Sequence, residues 1–331
     1  MKILLAHTPQ MRRDYYGERS LNGLRAVAEV TLHEGADALD AAALVDAARD
    51  VEIIVADRMT PGPGEIFAKL PKLRAFVRCA VDIRNIDVAA ASASGILVTR
   101  ASPGFVPSVV ELALGFMVDL SRGVSRATAE YHAGRAAEVV MGRQLGGSRI
   151  GIIGYGSIGR HLATLARALG MEVLVADPFV TIDDPAVSHV PLEDLLSRAD
   201  YVVCLAIANE ATENLIGAAA LARMQRHAFF INLSRGNLVD EAALADALRH
   251  NRIAGAALDV GRAPDQMPSP ELARLPNVIA TPHVGGLTPQ AIEHQSSETV
   301  RQVAVIIRGE APVGAVNEAD WMRRPNMGTT G

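Results

Sequence analysis

Cysteine is scarce in this sequence, and its scarcity excludes a protein held together by disulfides. The 331 residues include 2 cysteines, Cys79 and Cys204, and both lie in apolar runs typical of strands. We therefore predict reduced thiols in a buried core, as expected in a reducing compartment. Neither cysteine belongs to a Cys-x-x-Cys or Cys/His pattern, so we predict no metal site.

Long apolar runs are also missing. No stretch approaches the roughly 18 apolar residues that a membrane-spanning helix needs. The N-terminal stretch MKILLAHTPQMRRD has too short an apolar segment for a signal peptide. We therefore predict a soluble, cytoplasmic protein that does not bind a membrane.

Charge of one sign is not in large excess. The formal net charge is −5, and no run of lysine and arginine occurs, which argues against a nucleic-acid partner. Hydrophobic residues make up 49% of the chain and charged residues 21%, a balance that favours well-buried cores. A chain of this length favours two domains over one.

Short apolar runs alternate with helix-like segments along most of the chain. This alternation predicts an α/β fold with doubly wound parallel sheets that are covered by helices on both faces. In the first hundred residues the runs predict five strands, at 2–7, 29–34, 51–57, 73–80 and 95–100. A second series predicts six strands, at 149–154, 172–177, 201–206, 228–233, 253–258 and 278–281.

The segments between and after these two series differ in character. The stretch SPGFVP at 102–107 predicts a hinge, and a helix should follow it to about residue 121. Residues 122–147 carry few strand signals and could form a helix and an arm that contacts another subunit. A long helix near 289–308 should return to the first domain, and the tail 323–331 is predicted to be disordered.

The stretch RIGIIGYGSIGR at 149–160 is the strongest motif. Gly154, Gly156 and Gly159 follow an apolar strand and open a helix, which is the arrangement of a dinucleotide-binding turn. The first glycine permits the tight turn, the second lets the main chain approach a pyrophosphate, and the third lets helix and strand pack closely. Asp177 ends the next strand, 18 residues after Gly159, where an acid accepts the ribose hydroxyls and disfavours a 2′-phosphate. We therefore predict NAD as the cofactor.

Polar residues also follow three later strands of the second series. Arg235, Asp259 and His283 occur at intervals of 24 residues, one in each strand–helix unit. Ligands bind outside the carboxyl ends of parallel strands, so these side chains should face the end of the sheet that carries the glycine turn. Arginine can hold a carboxylate through a bidentate fork, and histidine can exchange a proton near neutral pH. The set suits hydride transfer to a 2-keto acid.

Each of these residues also has a simpler interpretation. An arginine after a strand is usually a surface residue, and Asp259 could cap a turn. The joint placement beside a dinucleotide motif favours the functional interpretation. The residues that we predict to contact the cofactor are Gly154, Tyr155, Gly156, Ser157, Ile158, Gly159, Asp177, Ala206, Ser234, Asp259 and Gly285.

Four segments in order resemble the D-isomer-specific 2-hydroxyacid dehydrogenase family, in its short form without a regulatory domain. They read GYGSIGR, INLSRGNLVDEAALADAL, GAALDV and NVIATPHVGG. The resemblance implies two Rossmann-like or flavodoxin-like domains, with a cofactor domain at 101–288 inserted into a substrate domain at 1–100 plus 289–322. It also implies a homodimer that forms through residues 102–147.

The same resemblance implies residue roles. Arg235 would bind the substrate and His283 would be the acid/base, while Asp177 and Asp259 would contact NAD. The family normally has a glutamate five residues after the aspartate of its LDV motif, where it hydrogen-bonds the catalytic histidine. Pro264 stands at that position here, so Asp265 or the more distant Glu271 would have to replace the carboxylate.

The predicted substrate loop departs from the family pattern as well. The family usually presents Gly-x-Gly-x-Asp there, and this chain has Ala80, Val81, Asp82, Ile83 and Arg84. Asp82 could accept a hydroxyl or an amine of an unusual substrate, or it could pair with Arg84. We therefore predict that Ala80, Val81, Asp82 and Arg84 contact the substrate.

These observations favour an NAD-dependent enzyme that interconverts a small 2-keto acid and its D-2-hydroxy acid. The altered loop and the missing glutamate leave a second hypothesis, a non-catalytic NAD(H)-binding regulator on the same fold. An amino-acid dehydrogenase is disfavoured because no lysine follows Lys72.

Overall fold

The structure, a computed structural model, describes residues 1–325 in two compact units. The first unit combines Met1–Gly104 with the segment from Pro289, and the second comprises Phe105–Thr288. The boundary therefore follows residue 104, where the sequence suggested 100. The N–H and the hydroxyl of Ser102 both donate to the Glu298 carboxylate, at 2.8 and 2.7 Å, and so tie residue 102 to the first unit.

Within residues 1–325, twelve strands form two parallel sheets, one in each unit. The first sheet contains β1 (Lys2–Leu5), β2 (Glu29–Leu32), β3 (Ile53–Ala56), β4 (Ala75–Arg78) and β5 (Leu97–Arg100). The second contains β6 (Arg149–Ile153), β7 (Glu172–Ala176), β8 (Val187–His189), β9 (Tyr201–Cys204), β10 (Phe229–Asn232), β11 (Gly255–Leu258) and β12 (Val278–Ala280).

Thirteen α-helices accompany these strands in the described residues. Those before the second sheet are α1 (Pro9–Tyr15), α2 (Glu18–Val27), α3 (Ala41–Ala47), α4 (Gly64–Lys69), α5 (Val88–Ala93), α6 (Val106–Arg122) and α7 (Val124–His132). Those that follow are α8 (Ser157–Ala168), α9 (Leu192–Arg198), α10 (Ala218–Arg223), α11 (Glu241–Arg249), α12 (Pro270–Ala273) and α13 (Pro289–Ile307).

The first sheet has the order β2-β1-β3-β4-β5, and all of its pairs are parallel. Successive side chains of a strand point to opposite faces, so each face has its own core. In β3, Ile54 and Ala56 join one core, whereas Ile53 and Val55 join the other. Both faces are therefore buried, as the continuous apolar run predicted.

The second sheet has the order β12-β11-β10-β9-β6-β7-β8. The order reverses between β6 and β9, which makes the carboxyl ends of these two strands the expected ligand-binding point. Six of the seven strands match the predicted runs. The sequence analysis missed β8, a strand of 3 residues with only Val187 buried, because its apolar pattern is too short to register.

The sequence predicts no particular structure for the stretch after β1, and it allows a helix and an arm at 122–147. The polar stretch after β1 is helix α1, which begins because the Thr8 hydroxyl accepts from the Met11 N–H and Pro9 occupies the first turn. The stretch after α7 contains no regular element through residue 148, and it exposes 97% of both Val139 and Met141.

The C-terminal segment docks on the first unit, contrary to the predicted disorder of residues 323–325. The Trp321 indole is 3% exposed and donates to the Arg74 carbonyl at 3.0 Å. Arg323 donates to the carbonyls of Leu70 and Leu73, at 2.8 and 2.9 Å. The rest of the predicted tail, 326–331, lies outside the described residues.

None of the helices in residues 1–325 is both long enough and apolar enough to cross a membrane.

Trp321 offers a test of this docking. Replacing Trp321 with alanine should destabilise the first unit by about 3–5 kcal/mol, because a large buried ring is removed and a cavity remains. Urea unfolding followed by circular dichroism would measure the loss. The matched control is Met322→Ala, whose side chain is 82% exposed and should change stability by less than about 0.5 kcal/mol. Equal effects of both variants would contradict the docking.

Candidate active site at the carboxyl end of the second sheet

The glycine turn between β6 and α8 lies where the strand order reverses. Gly154 adopts a φ of +95°, and a Cβ on it would lie 2.7 Å from the main-chain N of Ala206, which follows β9. A Cβ on Gly159 would lie 2.3 Å from the Gly154 carbonyl oxygen. Both positions therefore require glycine, for the turn and for helix–strand packing.

Gly156 differs from the other two glycines, because a Cβ there would meet no described atom within 4 Å. It is the N-cap of α8 and makes no side-chain capping bond, so the N–H groups of the first turn, which includes Ser157 and Ile158, are available to a ligand. An open approach to the N-terminus of a 12-residue helix suits a pyrophosphate. These residues fit a dinucleotide.

Asp177 directly follows β7 and is tied to the glycine turn. One carboxylate oxygen accepts from the Tyr155 N–H at 2.7 Å, and the other accepts from the Phe179 N–H at 2.9 Å. The Arg160 guanidinium lies 4.7 Å from the centre of the Tyr155 ring. Asp177 therefore holds the turn, and as a half-buried carboxylate it would still repel a 2′-phosphate.

Asn232 organises the residues that follow β10, and the sequence analysis missed it. Its side chain is 1% exposed, donates to the Arg235 carbonyl at 2.9 Å and accepts from the Ser234 N–H at 3.1 Å. The Ser234 hydroxyl donates to the Ala206 carbonyl at 2.6 Å, which joins the ends of β10 and β9. Its position as a polar residue inside the apolar run AFFINL could have indicated its role.

Asp259, which follows β11, is buried, and both of its carboxylate oxygens accept hydrogen bonds from the turn that follows β12. Its carboxylate accepts from the Thr281 hydroxyl at 2.6 Å and from the N–H groups of Val284 and Gly285, both at 2.8 Å. A Cβ on Gly285 would lie 2.8 Å from the same carboxylate. The structure therefore shows the capping role that the sequence left open, and the predicted contacts of Asp259 and Gly285 with NAD stay predictions.

His283 lies in this turn, between the residues that Asp259 binds. Its Nδ1 is 3.1 Å from the main-chain carbonyl oxygen of Asp265, so the contact uses the main chain of Asp265. Glu271, the second candidate for the missing glutamate, pairs instead with Arg249 at 2.5 Å. Glu271 therefore does not take the place of the glutamate.

The loop after β11 also reaches the segment that carries Arg235. A Cβ on Gly236 would lie 2.1 Å from the main-chain carbon of Gly261, so the two main chains are in direct contact. The Arg235 guanidinium donates to the Ser234 carbonyl at 2.7 Å. The ends of β10, β11 and β12 thus form one connected group.

In the first unit, the predicted substrate loop follows β4. Arg84 forms a bidentate pair with Asp82, with Nη2 2.5 Å from Oδ2 and Nε 3.0 Å from both oxygens. This is one of the alternatives that the sequence left open. The Ala80 carbonyl accepts from Ala101, and Val81 is half-buried.

A buried polar cluster, which the sequence analysis missed, lies at the carboxyl ends of β1, β3 and β4. Burial lowers the pKa of the His7 imidazole to about 4, although the nearby Asp57 opposes the shift. Burial also lowers the pKa of Arg78 to about 10. Arg78 donates to the Thr60 carbonyl and to the Asn85 side chain, at 2.9 and 2.7 Å, and so joins two loops.

No group of three or more potential metal ligands is found within residues 1–325.

The residues of this site lie in a part of the chain that matches a known protein family. The family model described as D-isomer specific 2-hydroxyacid dehydrogenase, NAD binding domain, matches residues 114–285. The matched range contains the glycine turn, Asp177, Arg235, Asp259 and His283. The second unit therefore carries an NAD-binding domain.

Two curated relatives extend the similarity over most of the chain. D-3-phosphoglycerate dehydrogenase of Methanocaldococcus jannaschii is 32% identical over 301 residues, which cover 89% of this chain and 57% of that protein. (S)-Sulfolactate dehydrogenase of Chromohalobacter salexigens is 36% identical over 271 residues, which cover 80% of this chain and 86% of that protein. The chain thus spans little more than half of the first relative.

A solved structure shows the same fold. The TT0316 protein from Thermus thermophilus aligns with a TM-score of 0.84 at 28% identity, covering 96% of this chain and 100% of that one.

Gly156 and Gly159 have different surroundings, so alanine substitutions at these two positions give a matched test of cofactor binding. Gly156→Ala should leave thermal stability unchanged but weaken NADH binding about tenfold or more, because the methyl group fills the approach to the helix. Gly159→Ala should instead lower stability by about 1–3 kcal/mol, because its Cβ meets the Gly154 carbonyl. Fluorescence titration with NADH and thermal unfolding would measure both. Unchanged NADH affinity in Gly156→Ala would contradict this assignment.

Proposed function

The chain belongs to the D-isomer-specific 2-hydroxyacid dehydrogenase family, and we propose that it interconverts a small 2-keto acid and its D-2-hydroxy acid with NAD. The observation that carries this proposal is the connected group at the ends of β10, β11 and β12. It brings a guanidinium and an imidazole to the same end of the sheet as the glycine turn. An acid–base group and a carboxylate-binding cation are the groups that the reaction requires.

The proposed roles follow from the chemistry of the side chains. Arg235 binds the substrate carboxylate through two N–H groups and polarises the neighbouring carbonyl. His283 gives a proton from Nε2 to the oxygen on C2 during reduction, and takes it back during oxidation. NAD(H), when bound, supplies or accepts the hydride. Asp259 positions His283 through the turn that its carboxylate binds.

The substrate loop of the first unit stays a predicted contact. Asp82 in this loop would bring a negative charge to an anionic substrate, but its ion pair with Arg84 neutralises that charge. The loop therefore need not repel such a substrate.

The enzyme is favoured over the regulator. The two curated relatives described above are named as dehydrogenases, and Arg235 and His283 are both present, with hydrogen-bonded main chains around them.

We also propose that the chain forms a homodimer through residues 102–147. Support comes from the exposed apolar side chains of this range, which include Tyr131 at 66% and Val139 and Met141 at 97%. Tyr131 and Met141 line one groove together with Val118, Val124 and Val140. An exposed apolar patch of this kind favours a protein partner.

The central test of the function is His283→Ala. A panel of 2-keto acids assayed by NADH consumption should identify a substrate for the wild type. With that substrate, the variant should lose about 10²–10⁴-fold in kcat because the proton donor is gone, and it should still bind NADH. The control His250→Ala removes an exposed histidine at the end of α11 and should keep its activity. Wild-type turnover by His283→Ala would disprove the assigned role.

The dimer has a separate test. Met141→Asp places a charge on the proposed contact and should convert the dimer to a monomer in light scattering coupled to size exclusion. Val313→Asp, at a side chain that is 86% exposed in the first unit, is the control and should leave the mass unchanged. A wild-type monomer would exclude the proposal.

A further inference from the structure

Left-handed main-chain conformations concentrate at the contact between His283 and Asp265. Five residues other than glycine have positive φ in the described chain, and three of them are Asp265, Gln266 and His283, with φ of 56, 58 and 55°. The other two are asparagines. Asparagine, aspartate and histidine adopt this conformation more often than other residues, so Gln266 is the one of the five for which it is least usual. Such a conformation is strained for most side chains, and strain of this kind persists where the surroundings impose it.

The loop from Gly261 to Met267 is held by its own main chain. The Gly261 N–H donates to the Gln266 carbonyl at 2.8 Å, and the Ala263 N–H donates to the Met267 carbonyl at 3.1 Å. These two bonds join the residues before Asp265 to those after it, and so close the loop around the two left-handed residues Asp265 and Gln266. The position of the Asp265 carbonyl is therefore set by the main chain.

Arg262 anchors the same loop to the segment after β10. Its guanidinium donates to the carbonyls of Asn237 and Val239, at 3.0 and 3.1 Å, and to the Glu213 carboxylate at 2.7 Å. Its N–H donates to the Glu241 carboxylate at 3.0 Å. With Gly261 packed on Gly236, these bonds leave the loop little freedom to move.

We propose that the main-chain carbonyl of Asp265 is the positioning group of His283, in the role that a glutamate side chain has in the family. The inference rests on the proposed function. The sequence has Pro264 where that glutamate is expected, and the contact at Nδ1 comes instead from the next residue. The left-handed pair directs this carbonyl at the ring.

A carbonyl oxygen only accepts hydrogen bonds, so the contact requires a proton on Nδ1 in every protonation state of the ring. The exchangeable proton is then on Nε2, where the reaction needs it. In the neutral ring Nε2 can accept a proton from a hydroxyl, and in the charged ring it can donate one. The main-chain contact thus fixes the tautomer and the ring orientation.

The tautomer can be measured directly in the full chain. Histidine ring nitrogens would be observed by NMR after ¹⁵N-histidine labelling, and the His283 signals would be identified by their loss in His283→Gln. At a pH where the ring is neutral, we expect Nδ1 to carry the proton. A neutral His283 with its proton on Nε2 would overturn the inference.

Gln266 provides the matched pair of variants, because its side chain has no known preference for a left-handed conformation. Gln266→Gly accepts φ of 58° without strain, and Gln266→Val strongly disfavours it. The valine variant should lose about 10–100-fold in kcat, with KM and NADH affinity within about twofold, and with a changed pH profile. The glycine variant should keep the kcat and the pH profile of the wild type.

The results separate this inference from the proposed function. If no 2-keto acid in the panel is reduced, the function fails, and the NMR measurement still decides the tautomer. If the enzyme is active but the glycine and valine variants lose activity equally, or the valine variant loses none, the positioning role is overturned. If the valine variant does not fold, the tautomer of the wild type decides.

Discussion

The carboxylate of Asp259 is the constraint on which the rest of the site depends. It is buried at the end of β11 and binds one hydroxyl and two main-chain N–H groups of the turn after β12. A buried carboxylate is stable only when such donors compensate for its lost hydration. The turn must therefore close around it, and this closure brings His283 to the Asp265 carbonyl. From there, the packing of Gly261 on Gly236 extends the order to the segment of Arg235.

The cofactor part of this arrangement could be predicted from the sequence because it requires particular residue types at particular positions. Gly154 and Gly159 must be glycine for steric reasons, and Asp177 must be acidic. The interval between Arg235, Asp259 and His283 reflects one strand–helix unit, so their common edge could be inferred. Asn232 could have been found in the same way, since a polar residue inside an apolar strand is unusual.

The remaining contacts do not require particular residue types, so the sequence does not reveal them. Every residue has a main-chain carbonyl, so nothing in the sequence singles out that of Asp265. Its direction depends on left-handed conformations at Asp265 and Gln266, and glutamine rarely adopts one. The short strand β8 depends on pairing with β7, which propensity does not reveal. In the substrate loop, Asp82 and Arg84 were recognised as charges, but which partner each takes depends on side-chain geometry. The docking of Trp321 likewise depends on distant residues.

The first unit is completed by residues from both ends of the chain, and this has a consequence for how the protein is made. The Tyr16 hydroxyl lies 2.8 Å from the hydroxyl of Thr299, a contact between residues 283 positions apart, and Trp321 closes the core beside them. A ribosome releases the whole second unit before it releases Thr299 and Trp321. The second unit can therefore fold during synthesis, whereas the first must wait with part of its apolar surface uncovered. Until then its uncovered apolar surface is the part of the growing chain most prone to aggregation.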